Sequence, residues 1–117
     1  MAHSLPVPQL PWGWKSMWVI AMFDLPTDTK AARKAYTLFR KRLIEDGFCM
    51  MQFSVYSRHC ASIENAEAHI ARMSAKVPDA GEVRFLTITD RQFGRIRVYT
   101  GKKRQPTKVS PAQLEFF

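Results

Sequence analysis

The sequence has few of the features that mark exported, membrane-spanning or zinc-binding proteins. Its 117 residues include two cysteines, Cys49 and Cys60, which form neither a C-x-x-C pair nor the disulfide set of a small secreted domain. No apolar run approaches the roughly 20 residues of a membrane span, and no signal-peptide pattern opens the chain. No Cys/His cluster has zinc-ligand spacing. We therefore expect a cytoplasmic protein in which both cysteines are small, buried or half-buried apolar residues.

Acidic residues are also scarce. Ten Asp and Glu stand against 18 Lys and Arg, which gives a net charge of +8. Six cations fall in residues 28–46 and seven in residues 91–108, and no acid lies between Arg91 and Leu114. Excess positive charge favours polyanions, so we expect nucleic acid as the partner rather than a membrane.

The hydrophobic pattern predicts an α+β domain over residues 16–101. In chain order it indicates a strand at 17–24, a helix from Thr27 or Asp28 to Asp46, a continuous or bent strand at 48–58, a helix at 62–76, and antiparallel strands at 82–89 and 93–100. Two helices on one face of a small, mainly antiparallel sheet would make a two-layer sandwich.

Two segments flank this domain. Residues 1–15 are rich in Pro and Trp, and we expect a loose leader. Residues 102–117 form a basic loop and an apolar tail that could add a strand. Leu114, Phe116 and Phe117 would anchor this tail on the chain's own core, on a twin subunit or on another protein.

Asp24 is conspicuous because it ends an unbroken apolar strand immediately before Leu25 and Pro26. Mg²⁺ takes hard oxygen ligands and is often held by one or two carboxylates, with waters completing its shell. A turn or cap is the other role that the sequence leaves open. Asp28 is better explained as a helix cap.

The basic residues are candidates for phosphate contacts, which position nucleic acid without reading its sequence. The candidates are Lys30, Arg33 and Lys34 early in the first helix, and Lys102, Lys103 and Arg104 in the basic loop. A merely solvated charged face is the alternative. Three aromatic residues could stack on bases, although we expect core packing for each: Tyr36, Tyr56 and Phe93.

Several segments in this order resemble CRISPR-associated protein 2, and most closely the form found in type II systems. They are MFDLPTDT, the basic helix ending in EDGF, MQFSVYSR and FLTITDRQFGRI, and the resemblance spans residues 17–101. It implies a ferredoxin-like fold, a two-fold homodimer and a role in acquiring new spacers from invading DNA. It also implies that the dimer bridges the integrase, CRISPR-associated protein 1, on a short DNA duplex.

The resemblance further implies a Mg²⁺-dependent (or Mn²⁺-dependent) endonuclease that acts on RNA or DNA. Asp24 matches the metal-binding, catalytic aspartate of the family. We therefore predict a DNA-binding bridge in spacer acquisition, with an endonuclease activity that could be weak or vestigial. The alternatives are a free-standing Mg²⁺-dependent endonuclease and a toxin-like or regulatory RNA-binding protein.

Overall fold

A computed structural model describes residues 16–105 of the chain. The predictions for the leader at 1–15, and for Leu114, Phe116 and Phe117 as partner contacts, lie outside the described residues. None of the helices between residues 16 and 105 is long and apolar enough to cross a membrane.

The described chain folds as a four-stranded sheet with two long helices on one face and a small two-stranded sheet after it. The elements are β1 Met17–Asp24, α1 Lys30–Glu45, β2 Cys49–Gln52, β3 Val55–Cys60, α2 Ile63–Ser74, β4 Glu82–Thr89, α3 Asp90–Phe93, β5 Val98–Thr100 and β6 Lys103–Gln105. Strands β1 to β4 form an antiparallel sheet in the order β2-β3-β1-β4. This order confirms the predicted α+β, ferredoxin-like architecture.

Strand β1 lies between β3 and β4, which explains its unbroken apolar sequence. Val19 and Ala21 face α1 and α2 and are fully buried, together with Phe39 from α1 and Met73 from α2. Trp18 lies on the other face of the sheet and is also buried. Because most β1 side chains are buried on both sides of the strand, the strand can be apolar throughout up to Asp24.

The helix boundaries follow the caps. The Thr29 side chain accepts a hydrogen bond of 3.0 Å from the Ala32 amide, so the cap of α1 is Thr29 and the predicted caps, Thr27 and Asp28, are wrong by two residues and one residue. The helix ends as predicted, because Gly47 has a φ of 91° and the left-handed conformation suits glycine. Ser62 caps α2 as predicted.

Residues 48–58 form two strands, not one. The chain reverses at Phe53 and Ser54, and β2 becomes the edge of the sheet. Cys49 lies on this edge and is exposed, so its predicted burial is wrong. Cys60 lies at the end of β3 in the core, and burial raises the pKa of its thiol.

The predicted strand at 93–100 beside β4 is also wrong. Thr89 and Gln92 form a reciprocal capping box that begins the short helix α3, and Phe93 then stacks on Trp18 with ring centroids 3.7 Å apart. Strand β5 pairs instead with β6 through a turn at Gly101 and Lys102. Lys103 and Arg104 therefore lie on a strand and not in a loop.

Candidate metal and nucleic-acid site

The site is centred on Asp24 at the end of β1. Phe23 points into the core and is buried, so the alternation of the strand turns Asp24 to the opposite, open face of the sheet, where it is exposed. Its carboxylate makes no hydrogen bond or ion pair with any residue between 16 and 105. Asp24 therefore caps neither a turn nor a helix within this part of the chain.

A second carboxylate, which the sequence analysis did not identify, lies on the neighbouring strand β4 directly opposite Asp24. Glu82 begins β4 and pairs with Asp24 in the β1–β4 register, so both side chains project from the same face. Glu82 also contacts Arg84 at 3.1 Å, but both groups are largely exposed and the pair is weak. Two adjacent acidic side chains repel each other unless a cation lies between them, and their oxygens are donors that hard divalent ions prefer.

Gly81 allows this arrangement. Its φ is 94°, and a Cβ atom at this position would lie 2.6 Å from the Asp24 carbonyl oxygen and 2.8 Å from a methyl carbon of Leu25. The backbone before β4 therefore approaches the end of β1 as closely as a residue without a side chain permits. The glycine fixes where Asp24 lies relative to Glu82.

Beyond Asp24, the first turns of α1 present the predicted cations to solvent. Lys30, Arg33 and Lys34 are exposed, the first helical turn holds no acid, and Arg33 donates a 3.1 Å hydrogen bond to the Thr27 carbonyl oxygen. The three line a shallow groove on the outer face of α1 together with Thr37, Leu38 and Lys41. Lys41, one of the six cations in residues 28–46, extends the cationic surface.

The second basic block lies elsewhere. Lys102, Lys103 and Arg104 are exposed on the β5–β6 hairpin. Residues of β5 share a groove with Trp18 and Ser57, which belong to the open face of the sheet, whereas α1 covers the other face. The two basic blocks therefore lie on opposite sides of the sheet, and one protomer does not bring them onto a single surface.

The aromatic residues differ from one another in exposure. Tyr56 and Phe93 are core residues, as expected, and Tyr36 is half-buried. Phe53 falls within the strand predicted at 48–58, yet it lies at the turn after β2 and its side chain is 78% exposed. A turn signal at Ser54 would have revealed this, but serine is not a strong marker of a left-handed turn.

Comparison with known proteins shows which family the sequence resembles. The family model described as CRISPR associated protein Cas2 matches residues 17–96. A protein from Parvibaculum lavamentivorans named CRISPR-associated endoribonuclease Cas2 is 77% identical over 101 residues, which cover 86% of this chain and 100% of that protein.

Proteins of the same name with lower sequence identity come from other bacteria. The protein from Flavobacterium psychrophilum is 46% identical and the alignment covers 89% of this chain and 90% of that protein. The protein from Streptococcus mutans strain UA159 is 42% identical, with 86% and 92% covered. With a family model that matches most of the chain and these relatives, the chain belongs to the CRISPR-associated protein Cas2 family.

Proposed function

We propose that the protein is a nucleic-acid-binding subunit of CRISPR spacer acquisition that carries a divalent-metal-dependent endonuclease site at Asp24. The observation that carries the proposal is an unpaired, exposed carboxylate at the end of a buried strand, with Glu82 opposite it on the same face of the sheet. The cationic first turns of α1 follow in the chain and lie on the side of the sheet that α1 covers. The relatives named endoribonuclease support the nuclease part of this proposal.

The residues at this site are suited to phosphodiester chemistry. Asp24 and Glu82 would hold Mg²⁺ or Mn²⁺, because both metals favour carboxylate and water oxygens. When bound, such an ion polarises a phosphate and lowers the pKa of a bound water. Lys30, Arg33 and Lys34 would bind neighbouring phosphates, assisted by the backbone amides at the start of α1.

One protomer offers an incomplete metal site. Between residues 16 and 105 no group of three or more His, Cys, Asp or Glu side chains is close enough to hold a metal ion. A two-fold homodimer that pairs the open sheet faces would bring a second Asp24 to the same surface, and the two carboxylates could share an ion. The same dimer would double the number of cationic helices available to one nucleic acid.

The second part of the proposed function is a bridging role, in which the protein joins the integrase to DNA. Cations on both sides of the sheet support contacts with the backbone of a duplex, and such contacts do not depend on sequence. The partners would be the integrase, CRISPR-associated protein 1, and a short duplex of spacer DNA. The alternatives are a free-standing metal-dependent endonuclease and a regulatory RNA-binding protein.

Cleavage by the purified protein tests the nuclease site. We expect Asp24→Asn to lower the Mg²⁺-dependent cleavage of RNA and DNA by at least about 100-fold, because a direct metal ligand is lost. Asp28→Asn is the matched control, because Asp28 is also exposed and lies four residues away. Equal activity in Asp24→Asn and wild type would exclude Asp24 as the metal ligand.

An integration assay distinguishes the endonuclease activity of the protein from its role in bridging the integrase and DNA. Purified integrase, a short duplex and Mg²⁺ are combined without this protein, with wild type, with Asp24→Asn, and with Lys30, Arg33 and Lys34 all changed to Ala. We expect wild type and Asp24→Asn to support integration and the triple variant to fail. Integration that is independent of this protein would exclude the bridge, and a preference for RNA over duplex DNA would favour the RNA-binding alternative.

A further inference from the structure

Among strands β1 to β4 of the described chain, Arg84 is the one lysine or arginine whose side chain lies on the open face of the sheet. Arg84 pairs with Met22, two residues along from the pair of Asp24 and Glu82, and side chains two residues apart on a strand project from the same face. Arg58, the other arginine of these four strands, projects toward the helices. Arg84 therefore shares a surface with both carboxylates, whereas the cations at the start of α1 lie on the opposite side.

Arg84 already contacts one carboxylate of the proposed metal site. Its Nη2 lies 3.1 Å from Glu82 Oε1, and it forms no other hydrogen bond or ion pair between residues 16 and 105. The two side chains are 73% and 66% exposed, so water weakens their attraction. The guanidinium is therefore held beside the site by a contact that is easily exchanged for another.

The Glu82 carboxylate cannot serve Arg84 and a metal ion equally. Arg84 would be displaced when a divalent ion binds, because such an ion has the higher charge and can take oxygens from Asp24 and Glu82 together. The displaced guanidinium would remain next to the site, since its backbone is fixed in β4. Its donors would then be available to an anion bound at the same place.

We propose that Arg84 is a further catalytic residue, which occupies Glu82 when no metal is bound and binds the reacting phosphate once displaced. The inference rests on the proposed function and adds a residue to its site. In phosphodiester hydrolysis a water oxygen bonds to phosphorus, the bond from phosphorus to the leaving sugar oxygen breaks, and that oxygen gains a proton while the water loses one.

Negative charge on the phosphate oxygens increases in the transition state of this reaction. The planar guanidinium of Arg84 can donate to two phosphate oxygens at once, and its charge favours the transition state over the bound substrate. Arg84 would therefore weaken metal binding and accelerate cleavage, and its removal should have opposite effects on the two.

Metal affinity without nucleic acid tests the first effect. The electron paramagnetic resonance signal of free Mn²⁺ would measure the affinity of wild type, Arg84→Ala and Arg84→Lys for Mn²⁺ alone. We expect Arg84→Ala to bind Mn²⁺ about two- to fivefold more tightly, because no exposed ion pair is broken when the metal binds. Arg84→Lys keeps the positive charge and should stay close to wild type.

Cleavage at saturating Mn²⁺ tests the second effect. We expect Arg84→Ala to lower kcat by at least about tenfold and to change KM little, because the lost contact strengthens in the transition state. Arg84→Lys should recover part of the rate, since an ammonium group keeps the charge but cannot donate to two oxygens in one plane. A residue with a merely structural role would not tighten metal binding and slow cleavage together.

Arg42→Ala is the matched control, because Arg42 forms a similar exposed ion pair, 3.0 Å from Glu45, on α1. It should leave both Mn²⁺ affinity and cleavage unchanged. Circular dichroism and sedimentation would verify that the Arg42 and Arg84 variants are folded and have the oligomeric state of wild type.

Three results for Arg84→Ala would overturn the inference: Mn²⁺ affinity that does not increase, a kcat equal to that of wild type, or a change of oligomeric state that accounts for the lost activity. The failure of the wider proposal looks different. If Asp24→Asn binds Mn²⁺ as tightly as wild type, the proposed metal site fails. If Asp24→Asn loses Mn²⁺ binding and cleavage while Arg84→Ala changes neither, only the role of Arg84 fails.

Discussion

Asp46 illustrates how single residues stabilise this fold at a point far from Asp24. It follows α1, and its carboxylate contacts His69 Nδ1 at 2.7 Å and Arg72 Nε at 2.8 Å, both on α2. Its carbonyl oxygen accepts a 2.9 Å hydrogen bond from Arg58 Nε on β3. One residue therefore joins α1, α2 and β3.

The charge of Asp46 is what holds this cluster together. Burial raises the pKa of the carboxyl group, but the hydrogen bonds from His69 and Arg72, with their charges, outweigh burial and hold the pKa below its ordinary value of 3.8. His69 Nδ1 also lies 2.8 Å from Arg72 Nη2. Because this nitrogen either donates to Asp46 or accepts from Arg72, the tautomer of His69 decides which bond forms.

The lowered pKa predicts how Asp46 contributes to stability at different pH values. A carboxyl group with a lowered pKa in the folded state stabilises the protein above its ordinary pKa and loses that contribution as the pH falls. We expect Asp46→Asn to reduce the free energy of unfolding by about 1–2 kcal/mol at neutral pH. The difference from wild type should shrink as the pH falls below 3.8.

Urea denaturation followed by circular dichroism over a series of pH values measures this difference. Asp28→Asn, at an exposed position, should match wild type throughout. A constant difference between Asp46→Asn and wild type across the series would contradict an ionic role for Asp46. It would point instead to altered packing.

At the scale of elements, the close approach of β4 to the end of β1 depends on Gly81. We expect Gly81→Ala to lower the free energy of unfolding by about 2–4 kcal/mol, because a left-handed residue gains a side chain that also collides with backbone. The same change should reduce cleavage, because the collision is with the Asp24 carbonyl oxygen.

Gly101→Ala provides the control for backbone strain. Gly101 also has a positive φ, of 64°, but a Cβ atom there would meet nothing within 4 Å. Gly101→Ala should lower the free energy of unfolding by about 1–2 kcal/mol, which is the strain of the left-handed conformation alone, and should leave cleavage unchanged. If the two alanine variants lose the same stability, as measured by urea denaturation, the close contact with β1 has no energetic consequence.

The region after β4 shows why some elements could not be read from the sequence. Residues 93–100 have the composition of a strand, and Val98–Thr100 do form one. Phe93, however, packs on Trp18, whose Nε1 donates a 2.8 Å hydrogen bond to Asp90. These contacts, between residues about 70 positions apart, turn the chain away from β4. The strand propensity of residues 93–100 carries no information about such distant contacts.

At the scale of the whole molecule, the face of the sheet away from α1 exposes an apolar side chain at Leu86, although Trp18 and Ile20 on the same face are buried. Ile20 and Met22 of β1 lie on it beside Leu86 of β4, which is 46% exposed. An apolar sheet face of this kind is normally covered by another layer. A second copy of the chain would cover it and bring two Asp24 carboxylates to one interface.

The proposed dimer predicts the effect of a charge on this face. We expect Leu86→Glu to weaken dimerisation by at least about 100-fold, because the interface would bury an unpaired carboxylate from each protomer. Sedimentation velocity over a concentration series measures the change. Metal-dependent cleavage should fall with the loss of the dimer.

Leu38→Glu is the matched control, because Leu38 is 49% exposed on the outer face of α1. Circular dichroism would verify that both variants are folded. A Leu86→Glu protein that dimerises as tightly as wild type would place the interface on another surface, and the shared metal site would then have to be abandoned.

The sequence by itself determined the features that depend on local periodicity and chemistry. The apolar run before Asp24 predicts a central strand, the stripes containing Phe39 and Met73 predict helices that cover one face, and Gly47 predicts the end of α1. Alternation and helical spacing specify buried faces without knowledge of the partner. They were therefore sufficient for an α+β sandwich with helices on one face and for placing Asp24 at a strand end, whereas the ferredoxin-like fold was implied by the family resemblance.

Only the tertiary structure decided which distant residues meet. Strand register brings Glu82 opposite Asp24, and the break at Ser54 exposes Phe53. Helix packing joins Asp46 to His69, and the covering of one sheet face by α1 separates the two basic blocks. Each of these depends on contacts between residues far apart in the chain, whose energies local patterns do not encode.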